Sequence, residues 1–160
     1  RLQRVLSYSP ETGIFTWLVA TGPRAIVGSQ AGHQIKTGRN CGYVRVRIDG
    51  RLYAASSLAW LYVHGEWVPD LDHRDLVRWN NSIGNLRMAT RSLQKANMKA
   101  RADNTSGFKG VHWHKPTSKW RAQMNVAGKR VHLGDRDTRE AAHDLYKAAA
   151  YAHFGEFARG

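Results

Sequence analysis

The stretch DHRDLVRWNNSIGNLRMATRSLQKAN, residues 72–97, decides how this chain is read. It opens on an acid beside an imidazole, Asp72-His73, runs through Asn80-Asn81 and Asn85, and ends on Gln94 and Asn97. Asp72-His73 closes one short strand, Leu86 to Thr90 forms a second, and Thr90 or Ser92 caps a helix from Leu93 to about Ala100. The unit is therefore strand, polar loop, strand, helix. Successive side chains of a strand point to opposite faces, so Asp72 and His73 meet different partners. One can ligate a metal while the other takes a proton, and the asparagines orient and ligate. Singly, these residues have ordinary explanations, a surface hydrogen bond for the Asp-His pair and turn formation for the asparagines. Their combination marks a candidate site.

Upstream, Ala55, Leu58, Ala59, Tyr62 and Val63 fall on one helical face, and Gly65 stops that helix. Trp67, Val68 and Pro69 then lead in extended form into Asp72-His73. Further back, residues 43–48 alternate apolar and basic side chains as a half-packed strand does, and Asp49-Gly50 turns it into Arg51-Leu52-Tyr53. Ser7 to Trp17 reads as a helix end, a turn and a strand. No acid occurs between Thr12 and Ile48, which leaves Arg45 and Arg47 on the wet strand face as phosphate contacts or as merely solvated groups.

Downstream, no acid occurs from Leu76 to Ala102, and Lys95 and Lys99 lie along the helix and its exit. Asp103 to Gly107 has turn composition, which places a domain boundary between 1–103 and 104–160. Beyond it, Val111 and Trp113 alternate with His112 and His114. Trp120, Ala122, Met124 and Val126 alternate with Arg121, Gln123 and Asn125, and Val131 and Leu133 with Arg130 and His132. Thr138 through Glu140 starts a helix reaching about Phe154, with Ala141, Leu145, Ala148, Ala149 and Ala152 as a small-residue stripe against the sheet. The opposite sheet face carries His112, His114, Arg121, Gln123, Asn125, Arg130 and His132, with no acid from Asn104 to Gly134. Such a face can lie in a major groove, where Arg, Gln and Asn meet base edges and Lys neutralises phosphate.

The totals agree with this division. With 160 residues, 42% of them hydrophobic, the chain fits one medium domain or two small ones. A formal charge of +13 attracts polyanions, nucleic acid first and anionic membrane surface second. No apolar run is long enough to span a membrane, and Cys41, being the single cysteine, makes neither an internal disulfide nor a thiolate cluster. Any metal must use oxygen or imidazole ligands.

Two resemblances rest on these residues. Asp72-His73, Asn80-Asn81, Asn85-Leu86-Arg87 and Ala89-Thr90-Arg91-Ser92 resemble the core of the HNH endonucleases, in particular the phage homing type. The lead-in Ser57-Leu58-Ala59-Trp60-Leu61-Tyr62 and Gly65-Glu66-Trp67 resembles the helix and turn before that core. The resemblance implies a ββα-metal, or His-Me finger, fold in which Asp72 ligates Mg2+ or Mn2+, His73 is the general base and Asn85 holds the imidazole. Gln94 stands where the family has a ligand asparagine, with Asn97 a substitute one turn on, and Ser56-Ser57 replaces the usual His-Arg pair. Separately, Lys109-Gly110-Val111, Lys119-Trp120, Leu133-Gly134 and Thr138 through Glu140-Ala141-Ala142 resemble the plant ethylene-response-factor DNA-binding domain. The family's reading arginines on the first strand are here His112 and His114.

The expectation is an α+β protein: a ββα-metal nuclease domain followed by a small three-stranded antiparallel sheet packed on one helix. It would cleave double-stranded DNA with a divalent metal, in the cytoplasm of a bacterial or phage-infected cell and associated with the nucleoid. The DNA contacts would be Arg45, Arg47, Arg87, Lys95, Lys99, Lys109, His112, His114, Lys119, Arg121, Gln123, Asn125 and Arg130. A DNA-binding regulator whose site at Gln94 and Ser56-Ser57 has decayed is the alternative. A basic RNA-associated protein is a third reading, disfavoured because the sheet lacks exposed aromatics for stacking on single strands.

Overall fold

The computed structural model describes residues 1–159, a mixture of short helices and small antiparallel sheets that divides into two compact units, Arg1–Met88 and Ala89–Gly160. Among the described residues no helix is long and apolar enough to cross a membrane.

The first unit begins with a one-turn helix, α1 (Leu2–Val5), and a hairpin of β1 (Leu6–Ser9) and β2 (Ile14–Trp17), in register from Leu6 opposite Trp17 to Ser9 opposite Ile14. A second antiparallel sheet orders β3 (His33–Gln34), β4 (Val44–Ile48) and β5 (Arg51–Ala54), and leads directly into α2 (Ala55–His64). Gly65 ends α2 in the left-handed conformation at φ 73°, and its N–H returns to the Leu61 carbonyl. Then come β6 (Leu71–His73) and β7 (Leu86–Met88), paired antiparallel across a polar loop.

The core of this unit gathers one side of each piece: Leu6, Phe15, Trp17, Val46, Ile48, Ala55, Leu58, Ala59 and Leu86. Leu86 is the inward residue of β7, so burying it fixes that strand and the loop before it against the body of the unit. Of the five residues expected on the inner face of α2, Ala55, Leu58 and Ala59 are buried and Tyr62 packs at the edge. Val63 is instead 44% exposed, because the helix is only ten residues long and its last turn overhangs the core.

The second unit opens with α3 (Arg91–Asn97), capped by Thr90 Oγ1 accepting from the Leu93 N–H at 3.3 Å. β8 (Val111–His114), β9 (Lys119–Val126) and β10 (Lys129–Arg136) form an antiparallel sheet with β9 in the centre, and α4 (Arg139–Phe154) packs on it. Ala122, Val111, Ala142, Tyr146, Ala150 and Phe154 form its core, joined by Leu93 and Ala96 of α3. That shared packing is why the units part at Met88/Ala89 and not in the turn near residue 104.

The stripe that α4 presents also differs from the expected one. Ala142, Tyr146, Ala150 and Phe154 are buried, while Ala141, Ala148 and Ala152 face solvent. The two aromatic rings decide this phase, since they remove far more apolar area from water than the alanines one position away. Gly110 completes the fit: a Cβ there would lie 2.2 Å from the Tyr146 ring, so only glycine lets β8 approach α4.

Candidate active site

β6 and β7 bring the central residues together by register. Asp72 lies opposite Arg87 and His73 opposite Leu86. Both Asp72 and His73 are buried, at 7% and 5% exposure, so neither is an ordinary surface polar residue. Arg87 donates from Nε to Asp72 Oδ2 at 3.0 Å, and its Nη2 lies 2.9 Å from the same oxygen. The expectation that Arg87 contacts DNA gives way to this pair. The residue is buried on a carboxylate because the two face each other across the ladder, and removing either would strip a buried charge of that contact.

His73 is held from the loop. Its Nε2 lies 3.3 Å from Asn81 Oδ1, and Asn81 Nδ2 donates to the Trp79 carbonyl at 3.1 Å. Asn81 is in turn fixed by the N-terminal hairpin: Tyr8 Oη donates to its carbonyl at 2.7 Å, and the Ile83 N–H next along donates to the Pro10 carbonyl at 2.9 Å. Gly13 makes this approach possible, since it sits at φ 73° with the backbone of Asn81 only 2.3 Å from where a Cβ would stand. Burial pushes the His73 pKa below its ordinary value, an effect opposed by the Asn81 contact and by the charges of Asp75 and Asp72. The imidazole is therefore neutral at pH 7, the form that accepts a proton.

Asn85 stands one step behind. Its Nδ2 donates to Asp75 Oδ1 at 2.9 Å and to the Asn80 carbonyl at 2.8 Å, while its Oδ1 accepts from the Asp75 N–H at 3.1 Å. Asn81 thus presents its amide to His73, and Asn85 closes the loop that carries Asn81. Asp75 is the hub of that loop, taking Asn80 Nδ2 at 2.7 Å and the Val77 N–H at 2.8 Å as well. These bonds offset the left-handed φ of 64° at Leu76, a conformation costly for a branched side chain. Tyr43 packs at a ring-centroid distance of 5.9 Å from His73, and the Arg78 guanidinium lies 5.0 Å from the centroid of the Tyr43 ring. Sequence reading singled out none of Asp75, Tyr8, Tyr43 and Arg78. Asn81 was visible only as one of a pair.

In the second unit, Asn97 is buried and Gln94 half-buried on α3. Lys109 does not reach outward. Its Nζ donates to the carbonyls of Lys95, Ala96 and Met98, the last at 2.7 Å, and so satisfies the open carbonyls at the end of α3. Burial lowers its pKa to about 8, which still leaves it protonated at neutral pH. The expected phosphate contact is therefore a helix clamp.

The outer sheet face holds an acid that alternation did not anticipate. A bulge between His132 and Gly134 shifts the phase of β10, so that Asp135 comes opposite Arg121. Arg121 donates from Nε and Nη2 to the two Asp135 oxygens at 2.8 and 2.9 Å, and His132 Nε2 lies 2.9 Å from Oδ1. Arg121 is thus a tied group. Its neighbours Arg130 and Asn125 stay exposed, with Gln123, His112 and His114 half-buried beside them. Lys119 is exposed and pairs with Asp137 at 3.1 Å. Lys95 and Lys99 are exposed, as is Arg47, whereas Arg45 is half-buried.

Comparison with known proteins bears on the same stretch. A family model described as HNH endonuclease matches residues 53–96, which take in α2, both strands of the site and Gln94. Protein 3.8 of Escherichia phage T7 is 36% identical over 89 residues, covering 56% of this chain and 73% of the phage protein. The chain belongs to the HNH endonuclease family. No solved structure matches it. As an HNH protein it is similar to a phage relative, and the family match ends before Asn97 and the three-stranded sheet.

Proposed function

We propose that this HNH protein is a divalent-metal-dependent endonuclease that hydrolyses phosphodiester bonds in double-stranded DNA, with Asp72 and His73 at the centre of a ββα-metal site. The observation that carries the reading is the buried His73 against Asn81 and next in the chain to a buried carboxylate, all inside the family-matched segment.

His73 takes the proton from the attacking water, a role for which a buried imidazole held by a neighbouring amide is suited. Asn81 orients the imidazole, and Asn85 with Asp75 keeps the loop closed under it. Asp72 would hold the metal. The donor chemistry proposed fits a hard ion: a carboxylate with neutral amides suits Mg2+ or Mn2+ that keep several waters. On the sequence resemblance alone, Gln94 is proposed as the amide ligand, with Asn97 as its substitute one helical turn on. When bound, the ion supplies Lewis-acid stabilisation of the charge on the phosphate and the leaving oxygen. The C-terminal sheet, ethylene-response-factor-like in sequence, lays Arg130, Asn125, Gln123, His112 and His114 against the major groove, with Lys119, Lys95 and Lys99 nearer the backbone.

A second reading, DNA binding without cleavage, draws on the Arg87–Asp72 pair, which already neutralises the carboxylate, and on glutamine at position 94. One experiment separates the two. Supercoiled and linear DNA incubated with and without Mn2+ is nicked or cut by the endonuclease and untouched by its His73→Ala variant. Intact DNA under both conditions, with tight binding retained, supports the second reading.

A further inference from the structure

Arg78 is an exposed guanidinium in the polar loop with no acidic partner among the described residues. It is nevertheless held in place. Nη1 donates to the carbonyls of Cys41 at 3.0 Å and Arg39 at 3.4 Å, and the group lies 5.0 Å over the Tyr43 ring. Gly42, at φ 94°, brings the chain against the Arg78 side chain, with Cβ of Arg78 only 3.3 Å from where a glycine Cβ would stand. Tyr43 in turn packs on His73. The two carbonyls occupy one nitrogen and leave the edge formed by Nε–H and Nη2, the planar fork that matches two oxygens of a phosphate. Holding so long a side chain on two carbonyls and a ring costs rotamer freedom, which leaves the fork ordered before any ligand arrives.

The geometry points to Arg78 as a phosphate-binding residue of the active site: its free edge takes non-bridging oxygens of the DNA phosphodiester presented to His73. The inference rests on the nuclease reading above and deepens it. A fixed cation beside the reacting group stabilises charge that grows on the phosphate as water adds, and it needs no rearrangement to do so. Arg78 is the cation that lies on the ring packed against the base.

The test uses Arg78→Met and Arg78→Lys, made in the wild-type chain and in the His73→Ala background. In the wild-type chain Arg78→Met lowers kcat/KM for cleavage about 100-fold, mostly in kcat, and Arg78→Lys recovers part of the loss. In the cleavage-silent background Arg78→Met flattens the log-log salt dependence of DNA binding by about one, with circular dichroism and melting temperature unchanged. Normal cleavage by Arg78→Met, when His73→Ala is dead, overturns the proposal. A loss of melting temperature that accounts for the lost cleavage, with an unchanged salt slope, also overturns it and leaves Arg78 as a loop brace. Absence of cleavage by the wild type in every metal overturns the nuclease reading alone, and the salt slope still decides whether Arg78 meets phosphate.

Discussion

The loop between β6 and β7 and the outer face of the β8–β10 sheet are both rich in arginine, histidine and asparagine, yet they use them in opposite ways. On the two strands that carry the loop the charges turn inward, while Arg78 of the loop itself stays exposed. Arg87 is buried on Asp72, His73 sits on Asn81, and Asp75 collects amide donors until the loop is closed. On the sheet the side chains stay at the surface, and one acid, Asp135, gathers Arg121, His132 and Thr117 at 3.2 Å or less. Burial gives the first region fixed positions and shifted protonation, which chemistry needs. Exposure gives the second a broad positive surface, which suits binding a polyanion with little demand on any single residue. Damage to the loop should therefore act on rate and folding, and damage to the sheet on affinity and its salt dependence.

The largest expected effect falls on rate. His73→Ala should lower cleavage by three orders of magnitude or about that, with DNA affinity unchanged, and a gel assay at matched occupancy reads it. Asn81→Ala should cost less, about tenfold to a hundredfold, since the base remains but its ring is no longer seated. A His73→Ala variant that cuts normally would sink the division of labour between the two regions.

The next effect is on stability. Arg87→Ala takes from the buried Asp72 carboxylate the contacts this guanidinium makes to Oδ2, which should cost about 3–5 kcal/mol. Replacing Lys109 by methionine removes a charged donor from three carbonyls at the end of α3 and should cost about 1.5–3 kcal/mol. Denaturant titration checks both. If Arg87→Ala is as stable as wild type and binds DNA more weakly, Arg87 belongs with the exposed arginines after all.

Much of this contrast was legible in the residues. Strand alternation gave the hairpins and the three strands of the C-terminal sheet, and the spacing of Asp72-His73 with the asparagines marked the stretch that the family match covers. What escaped were properties of register and distance. That Arg87 faces Asp72 requires knowing how two strands slide against each other. That Asp135 faces outward requires the bulge at Leu133, which reverses the alternation on which the acid-free face was counted. Lys109 looked like a phosphate contact because nothing in a strand's local pattern says that the end of a helix thirteen residues earlier lies within its reach. Asn85 and Asn81 could be told apart only by distance, since Asn81 Oδ1 lies against the imidazole while Asn85 Nδ2 donates to Asp75.

The smallest expected effect tests the sheet side through pH. Two hydrogen bonds from Arg121, then that from His132, hold the Asp135 carboxyl well below the ordinary carboxylate range. A depressed folded pKa means that the unfolded chain binds the proton more readily near pH 4, so this group's contribution to stability is present above that value and is lost as pH falls toward the folded pKa. Asp135→Asn should therefore flatten the decline in melting temperature between about pH 4 and 2, starting from a slightly lower value at neutral pH. The same change releases Arg121, so non-specific DNA binding at pH 7 should tighten and its salt slope steepen by about one. An Asp135→Asn variant that binds DNA more weakly would mean that the acid holds Arg121 in a reading position, and the outer face would then share the preorganisation that marks the loop.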